Sequence, residues 1–219
     1  AEVIIAIIGV ESMYGQKTGN FRIIDALATL GFAYPPRSRF FLSELEHFLL
    51  LCREEHLDPR QPTGSYAGAM GMPQFMPSSF RTFAADFDND GHRDIWHNNA
   101  DVIFSIANYF AKHQWLRGQP IAVPATAKNE NYQQLSSKDL KPDLTIADLE
   151  TLQITTSTPI PANSKVKLLA FEEENGHHLI ASLNNFYVIT RYNHSPLYAL
   201  AVQQLSQDIS NQKISSPYE

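Results

Sequence analysis

Residues 35–56 read PPRSRFFLSELEHFLLLCREEH, and this stretch decides the fold class. Within it Phe41, Leu45, Phe48, Leu49 and Cys52 recur at spacings of three and four, the period of a helix that buries one face. Pro35-Pro36-Arg37 opens the segment and Pro59 lies just past its end, so a helix is expected from there to His56. Toward the N-terminus a first apolar segment runs to Glu11, entered from Ala1-Glu2-Val3 without an N-cap or leading loop, and the start therefore reads as a cut. Toward the C-terminus follow a glycine-rich turn region (Thr63 to Pro77), a short helix near Ser79 to Ala85, an acidic loop, and a helix from about Asn99 to His113. Val102, Ile103, Ile106 and Phe110 are its expected buried face.

After Gly118 the composition shifts to Thr, Ser, Pro and Asn. Val166 to Phe171 and His178 to Leu183 read as strands joined by the Glu-Glu-Asn-Gly turn at 173–176. From Phe186 the pattern tightens again, and Ser195-Pro196 supplies an N-cap and a first-turn proline for a closing helix to about Ser210. The expectation is an α+β chain: a mainly helical core over 1–118, an inserted β subdomain over 119–185, and a return segment with a closing helix over 186–219. Seventeen Lys plus Arg against 23 Asp plus Glu give a net charge of −6, and 43% of the residues are hydrophobic, which disfavours disorder and a basic nucleic-acid binder. The single cysteine, Cys52, excludes an intrachain disulfide and reads as a buried small hydrophobe. The longest apolar run, Val3 to Val10, is far short of the roughly 20 residues of a spanning helix, and no secretory leader is present.

Four groups of residues can carry chemistry. Glu11 ends the run Ile4, Ile5, Ile7, Ile8, Val10, and a carboxylate held beside apolar side chains is pushed toward its protonated form, as a general acid requires. The same residue also reads as an ordinary helix-end glutamate in solvent. Residues 64–77, GSYAGAMGMPQFMP, combine glycines that admit a close ligand, the polar Ser65 and Gln74, and an apolar methionine wall. This composition suits a sugar cleft and equally a turn that packs methionines into a core.

Asp86-Phe87-Asp88-Asn89-Asp90-Gly91-His92 fits the first half of an EF-hand calcium loop, with three carboxylates, a turn glycine and the His92 carbonyl as ligands. His97 stands where the closing glutamate would be, which moves that role to Asp101. The oxygen-rich spacing and the lone cysteine argue against zinc, and a solvated acidic turn is the alternative. Finally, Tyr109, Tyr187, Tyr192 and Asn193 offer rings and amides for a carbohydrate groove, although any single tyrosine also fits a core or boundary position. No Ser-His-Asp order, Walker loop or dinucleotide fingerprint is evident.

The succession IIGVES, DALATLGF, GSYAGAMGMPQFMPSSF, DFDNDGH, SIANYF and FYVITRYNHS resembles the B-type lytic murein transglycosylases of Gram-negative bacteria. The likeness is dense over 1–118 and 186–205 and mainly positional over 119–185. It implies a lysozyme-like core, an inserted β subdomain, a structural calcium ion in an EF-hand-like loop, and no organic cofactor. It further implies a helical region ahead of the core, a periplasmic location, and an outer-membrane lipid anchor, where there is one, on an N-terminal segment outside this chain. Its partner would be the glycan strands of peptidoglycan, with the protein a monomer.

Motif by motif, the resemblance makes Glu11 the single catalytic acid and base, and places Ser65, Gln74, Tyr109, Tyr187, Tyr192 and Asn193 in the cleft. Asp86, Asp88, Asp90, the His92 carbonyl and Asp101 become the metal ligands, although the stretch before Asp101 is longer than the family pattern. A glycosidase ordinarily uses two carboxylates. The implied reaction instead uses one, and cleaves the MurNAc-GlcNAc β-1,4 bond with closure of a 1,6-anhydro ring. A hydrolytic muramidase and a non-catalytic, calcium-stabilised peptidoglycan-binding module are the alternatives.

Overall fold

The computed structural model describes residues 1–135, 139–174 and 176–215. The chain divides into two compact units, one of residues 1–111 and 204–219, the other of residues 112–203.

The first unit is helical. Its elements are α1 (Glu2–Ser12), β1 (Phe21–Arg22), α2 (Ile23–Ala33), α3 (Ser38–Glu54), β2 (Thr63–Gly64), α4 (Pro77–Phe83) and α5 (Asn99–Lys112), whose last residue belongs to the second unit. Ile7, Ile23, Leu27, Phe48, Leu51, Met70, Phe80, Ile95 and Ile106 are fully buried, and each large side chain of this kind stabilises the fold by about 2 kcal/mol relative to exposure. The expected stripe of α3 is rotated. Leu49 is 46% exposed, whereas Glu44 and Leu51 face inward beside Phe41, Phe48 and Cys52. A buried Glu44 is tolerable because its carboxylate accepts the backbone amide of Ser78 at 2.9 Å and the Ser78 hydroxyl at 2.7 Å, at the positive end of α4. In α5, Val102, Ile106 and Phe110 are buried as expected, but Ile103 is exposed, and Asp101, Ser105 and Tyr109 complete the inner face.

Pro35–Arg37 form a separate 3-10 turn before α3 rather than its first residues. The turn separates α3 from α2, a helix that hydrophobic spacing does not announce. Gly31 lets α2 approach α3: a Cβ there would stand 2.9 Å from Leu42 Cδ2. Burial pushes the Cys52 thiol up to about 11, and the Asp58 carboxylate adds to the effect. The residue is a buried free cysteine.

The second unit is built on a five-stranded antiparallel sheet of order β4-β6-β7-β3-β5, from β3 (Ala122–Ala127), β4 (Leu144–Thr145), β5 (Ile154–Thr156), β6 (Lys165–Glu173) and β7 (Gly176–Ser182). The β6–β7 hairpin holds the strands read from the sequence except Leu183, which lies just past β7, in a register that sets Lys167 opposite Ser182 and Glu173 opposite Gly176; Asn175 of the expected turn lies outside the described residues. Helix α6 (Ile146–Thr151) starts at a capping box in which Thr145 and Asp148 exchange hydrogen bonds. Val123, Ile146, Leu149, Ile154, Val166, Leu168, Ala181 and Leu183 form the apolar core of this unit. Helix α7 (Asn184–Tyr192) follows the sheet, and Ser195 caps α8 (Pro196–Ser215) by accepting the Tyr198 amide at 3.3 Å. Among the described residues, no helix is long and apolar enough to cross a membrane.

Candidate active site

Glu11 is the penultimate residue of α1. It lies one turn beyond the buried Ile7, on a half-buried position, while Val10 beside it is 38% exposed. The chain then leaves the helix abruptly. Met13, Tyr14 and Gly15 all have positive φ (49°, 58° and 83°), a run unusual for two non-glycine residues. Ser12 stabilises this exit: its hydroxyl donates to the Ile8 carbonyl at 3.1 Å and accepts the Gly15 amide at 3.0 Å.

The glycine-rich segment packs against that exit. Gln74 (φ 51°) donates from Nε2 to the Thr18 carbonyl at 3.1 Å and to the Gly71 carbonyl at 2.8 Å, which ties the segment to the loop leaving α1. Ser65 shapes the turn itself, since its hydroxyl accepts the amides of Ala67 (3.3 Å) and Ala69 (3.0 Å). Two backbone approaches here exclude any side chain. A Cβ on Gly19 would stand 2.1 Å from the Gly64 carbonyl oxygen, and one on Gly64 would stand 2.1 Å from that of Ala69. Tyr109 is only 6% exposed and packs edge-on to Phe83 at 4.7 Å and tilted to Phe75 at 6.0 Å, so most of its ring is core. Within the first unit, then, Gln74 is bonded to the loop that follows Glu11, and Tyr109 adjoins the residue after Gln74.

The remaining cleft candidates belong to the second unit. Tyr187 and Tyr192 are half-buried on α7, with the Arg191 guanidinium 6.0 Å from the Tyr187 ring centre. Asn193 is exposed just past the helix and accepts the Ser195 amide at 3.2 Å.

In the acidic loop, Asp86, Asp88 and Asp90 bring carboxylate oxygens within 4.8 Å of one another. The backbone reverses through Asn89 (φ 58°) and Gly91 (φ 93°), and Asp86 accepts the amides of Asp90 (3.2 Å) and Gly91 (3.0 Å). An all-oxygen set on a loop fits a hard cation of the calcium type. His92 is exposed, and its backbone amide donates to Asp90 at 2.8 Å. Asp101 does not join the cluster. It is fully buried, and its two oxygens accept the amides of Phe87 and Asp94, each at 2.8 Å. Phe87 stacks on Phe104 at 3.5 Å, pinning the loop to α5.

Three features escaped sequence reading. Glu55 is buried, accepting the Arg93 amide at 3.0 Å and pairing with its guanidinium. Glu54 beside it is held below the usual carboxylate range, first by the Arg81 side-chain hydrogen bond. A cleft of about 640 Å³ lies along Thr18, His56, Thr63, Arg93 and Trp96. None has a local pattern, because each joins residues far apart in the chain.

The chain matches the model of the transglycosylase SLT domain over residues 1–207. It belongs to that family. It is 44% identical over 209 residues to the membrane-bound lytic murein transglycosylase B of Escherichia coli (strain K12), a match covering 95% of this chain and 56% of that protein. The chain thus spans a little over half the length of this curated relative. Among solved structures, the soluble lytic transglycosylase B1 of Pseudomonas aeruginosa superposes with a TM-score of 0.91 at 46% identity, over 97% of this chain and 70% of that one. The Escherichia coli lytic transglycosylase solved in complex with calcium gives 0.89 at 43% identity, over 97% and 67%. A mixed helix-and-sheet architecture of the lytic transglycosylase kind is therefore established for this chain.

Proposed function

We propose that this chain is the catalytic core of a peptidoglycan lytic transglycosylase, cutting the MurNAc-GlcNAc β-1,4 bond and leaving a 1,6-anhydro-MurNAc end. The observation that carries this reading is the placement of Glu11, in a family member, at the end of α1, just ahead of the loop whose Thr18 carbonyl Gln74 of the glycine-rich segment bonds. A relative of 31% identity has been solved in complex with NAG-NAM-pentapeptide and with NAG-anhNAM-pentapeptide, which supports both the substrate class and the anhydro product.

In the proposed reaction Glu11 begins protonated, a state favoured by its half-buried place in the last turn of α1, at the negative end of the helix dipole. It gives its proton to the glycosidic oxygen as the bond from muramic C1 breaks, and the 2-acetamido oxygen supports the electron-poor C1. The carboxylate then takes the proton of the same sugar's C6 hydroxyl while O6 bonds to C1. No water is consumed, and Glu11 ends as it began. Ser65, Gln74, Tyr109, Tyr187, Tyr192 and Asn193 are the proposed sugar contacts; Gln74 in particular is held for this by its two carbonyl acceptors.

Asp86, Asp88, Asp90 and the His92 carbonyl would hold a structural calcium ion, which supplies charge compensation to the loop. Asp101, outside that carboxylate cluster, supports the loop by accepting the backbone amides of Phe87 and Asp94. The expected division into a core over 1–118, an insert over 119–185 and a return over 186–219 differs from the two compact units, in which 112–203, α7 included, lie together; action in the periplasm, where murein lies, belongs to the same proposal.

Replacement Glu11→Gln should leave the melting transition and sugar binding in place and lower release of soluble products from purified peptidoglycan by at least ~100-fold. Release within tenfold of the parent would remove Glu11 from the mechanism.

A further inference from the structure

We infer that the second unit contains a carboxylate-binding pocket for the peptide attached to the muramic sugar. The inference rests on the peptidoglycan reading above and names a part of the substrate that the reaction itself does not require. A cavity of about 390 Å³ in this unit is lined by Lys112, Lys141, Lys165 and Arg191, together with His113, Asn184 and Tyr187 among others, and its wall contains no Asp or Glu. The four cations come from four separate places in the chain: the end of α5, the approach to β4, the start of β6 and the last turn of α7. All four side chains are on exposed residues, and none makes an ion pair within 4.0 Å among the described residues.

The neighbouring lysine on β6 shows the contrast. Lys167 is buried and bonded to Asp143 at 2.7 Å, whereas Lys165, two residues earlier on the same face, is left for the cavity. The carboxylate that Lys165 acts on, Asp148, is already engaged by the Thr145 hydroxyl and amide and does not line the cavity.

Like charges brought together repel, and in a chain of net charge −6 this convergence is not the overflow of a generally basic surface. An anion in the cavity would relieve the repulsion by meeting several Lys and Arg donors at once. Which anion is indicated by Tyr187, a proposed sugar contact that forms part of the same wall. An acid group reaching this cavity from a sugar held at Tyr187 must be attached to that sugar, and the peptide on muramic acid ends in free carboxylates. The polar, solvent-facing lining suits a peptide terminus better than an apolar tail.

The test uses one preparation of glycan strands in two forms, with peptide carboxylates free or converted to methylamides, and compares kcat/KM for product release. The parent protein should prefer the free-acid form by about fivefold, the scale of two or three partly screened charge pairs. In the double variant Lys141→Ala/Lys165→Ala that preference should fall to near one, while the rate on methylamide strands and the melting midpoint stay at parental values. Lys141→Arg/Lys165→Arg should restore the preference. Equal rates on both forms by the parent, or an undiminished preference in the alanine variant, would overturn the pocket's role while leaving the proposed activity intact. Cleavage of neither form would withdraw the activity, and this inference with it.

Discussion

The segment from Thr63 to Pro77 keeps its shape because side chains are missing, whereas the segment from Asp86 to Asp101 keeps its shape because carboxylates are present. In the first, glycine backbones stand so close that a Cβ on Gly64 would meet a carbonyl oxygen at 2.1 Å, and one on Gly71 (φ 64°) would meet the Ile95 carbonyl oxygen at 2.5 Å. In the second, a Cβ on Gly91 would meet nothing within 4 Å, and the loop is gathered by Asp86, Asp94 and Asp101 accepting backbone amides. Both segments turn the chain sharply and both carry candidate site residues. One is held by excluded volume, which neither salt nor ions alter. The other is held by charge, so its stability should respond to a cation.

The sharpest way to break the first segment is to add one carbon. Gly64→Ala should cost at least about 3 kcal/mol in urea unfolding, because the atom to be displaced is backbone and cannot swing aside. A loss under 1 kcal/mol, about the cost of an unstrained surface change, would show that the close approach is not what shapes the turn.

The second segment should fail for a different reason. Asp101→Asn preserves size but presents an amide NH₂ to one of two buried backbone N–H donors, and should cost about 2 kcal/mol. Unfolding curves identical to those of the parent would mean that the loop does not depend on this carboxylate.

Calcium should raise the melting temperature by about 3 °C, and a chelator should remove the gain, since an ion bound only by the folded loop adds on the order of 1 kcal/mol. Magnesium should do less. Asp88→Asn should lose the calcium response with little change to the ion-free midpoint, as Asp88 is exposed and lies outside the core. A midpoint indifferent to both chelator and calcium would leave the acidic cluster as a solvated turn.

The same contrast explains what the sequence makes legible. A run of alternating aspartates ending in glycine is a local pattern, and the cluster of Asp86, Asp88 and Asp90 is where that pattern puts it. The helical core and the β6–β7 hairpin also follow from local periodicity. Where burial depends on a distant partner, periodicity misleads. Glu44 displaces the expected face of α3 because Ser78, 34 residues on, satisfies it, and Ile103 yields its inward place to Asp101 and Ser105, which serve the acidic loop. Helix α2 is hidden by Gly31, a poor helix former kept for its close contact with Leu42. Strands β3, β4 and β5 escape notice because they are six, two and three residues long and pair non-locally, with Ala122 opposite Ser182. The candidate site was therefore readable as residue types in order, while the bond from Gln74 to the loop behind Glu11 joins positions 56 apart and needed the fold.

In the proposed reaction Glu11 closes the substrate's own C6 hydroxyl onto C1 with no part for water. A hydroxyl held in place on the reacting sugar has an advantage over an external nucleophile that can reach about 7 kcal/mol or more. The direct measurement is digestion of purified peptidoglycan in oxygen-18 water, with mass spectrometry of the new muramic ends. Transglycosylation yields unlabelled 1,6-anhydro ends, lighter by one water than the hydrolytic product. Predominantly labelled reducing ends carrying the heavy oxygen on C1 would contradict it and make the protein a hydrolytic muramidase.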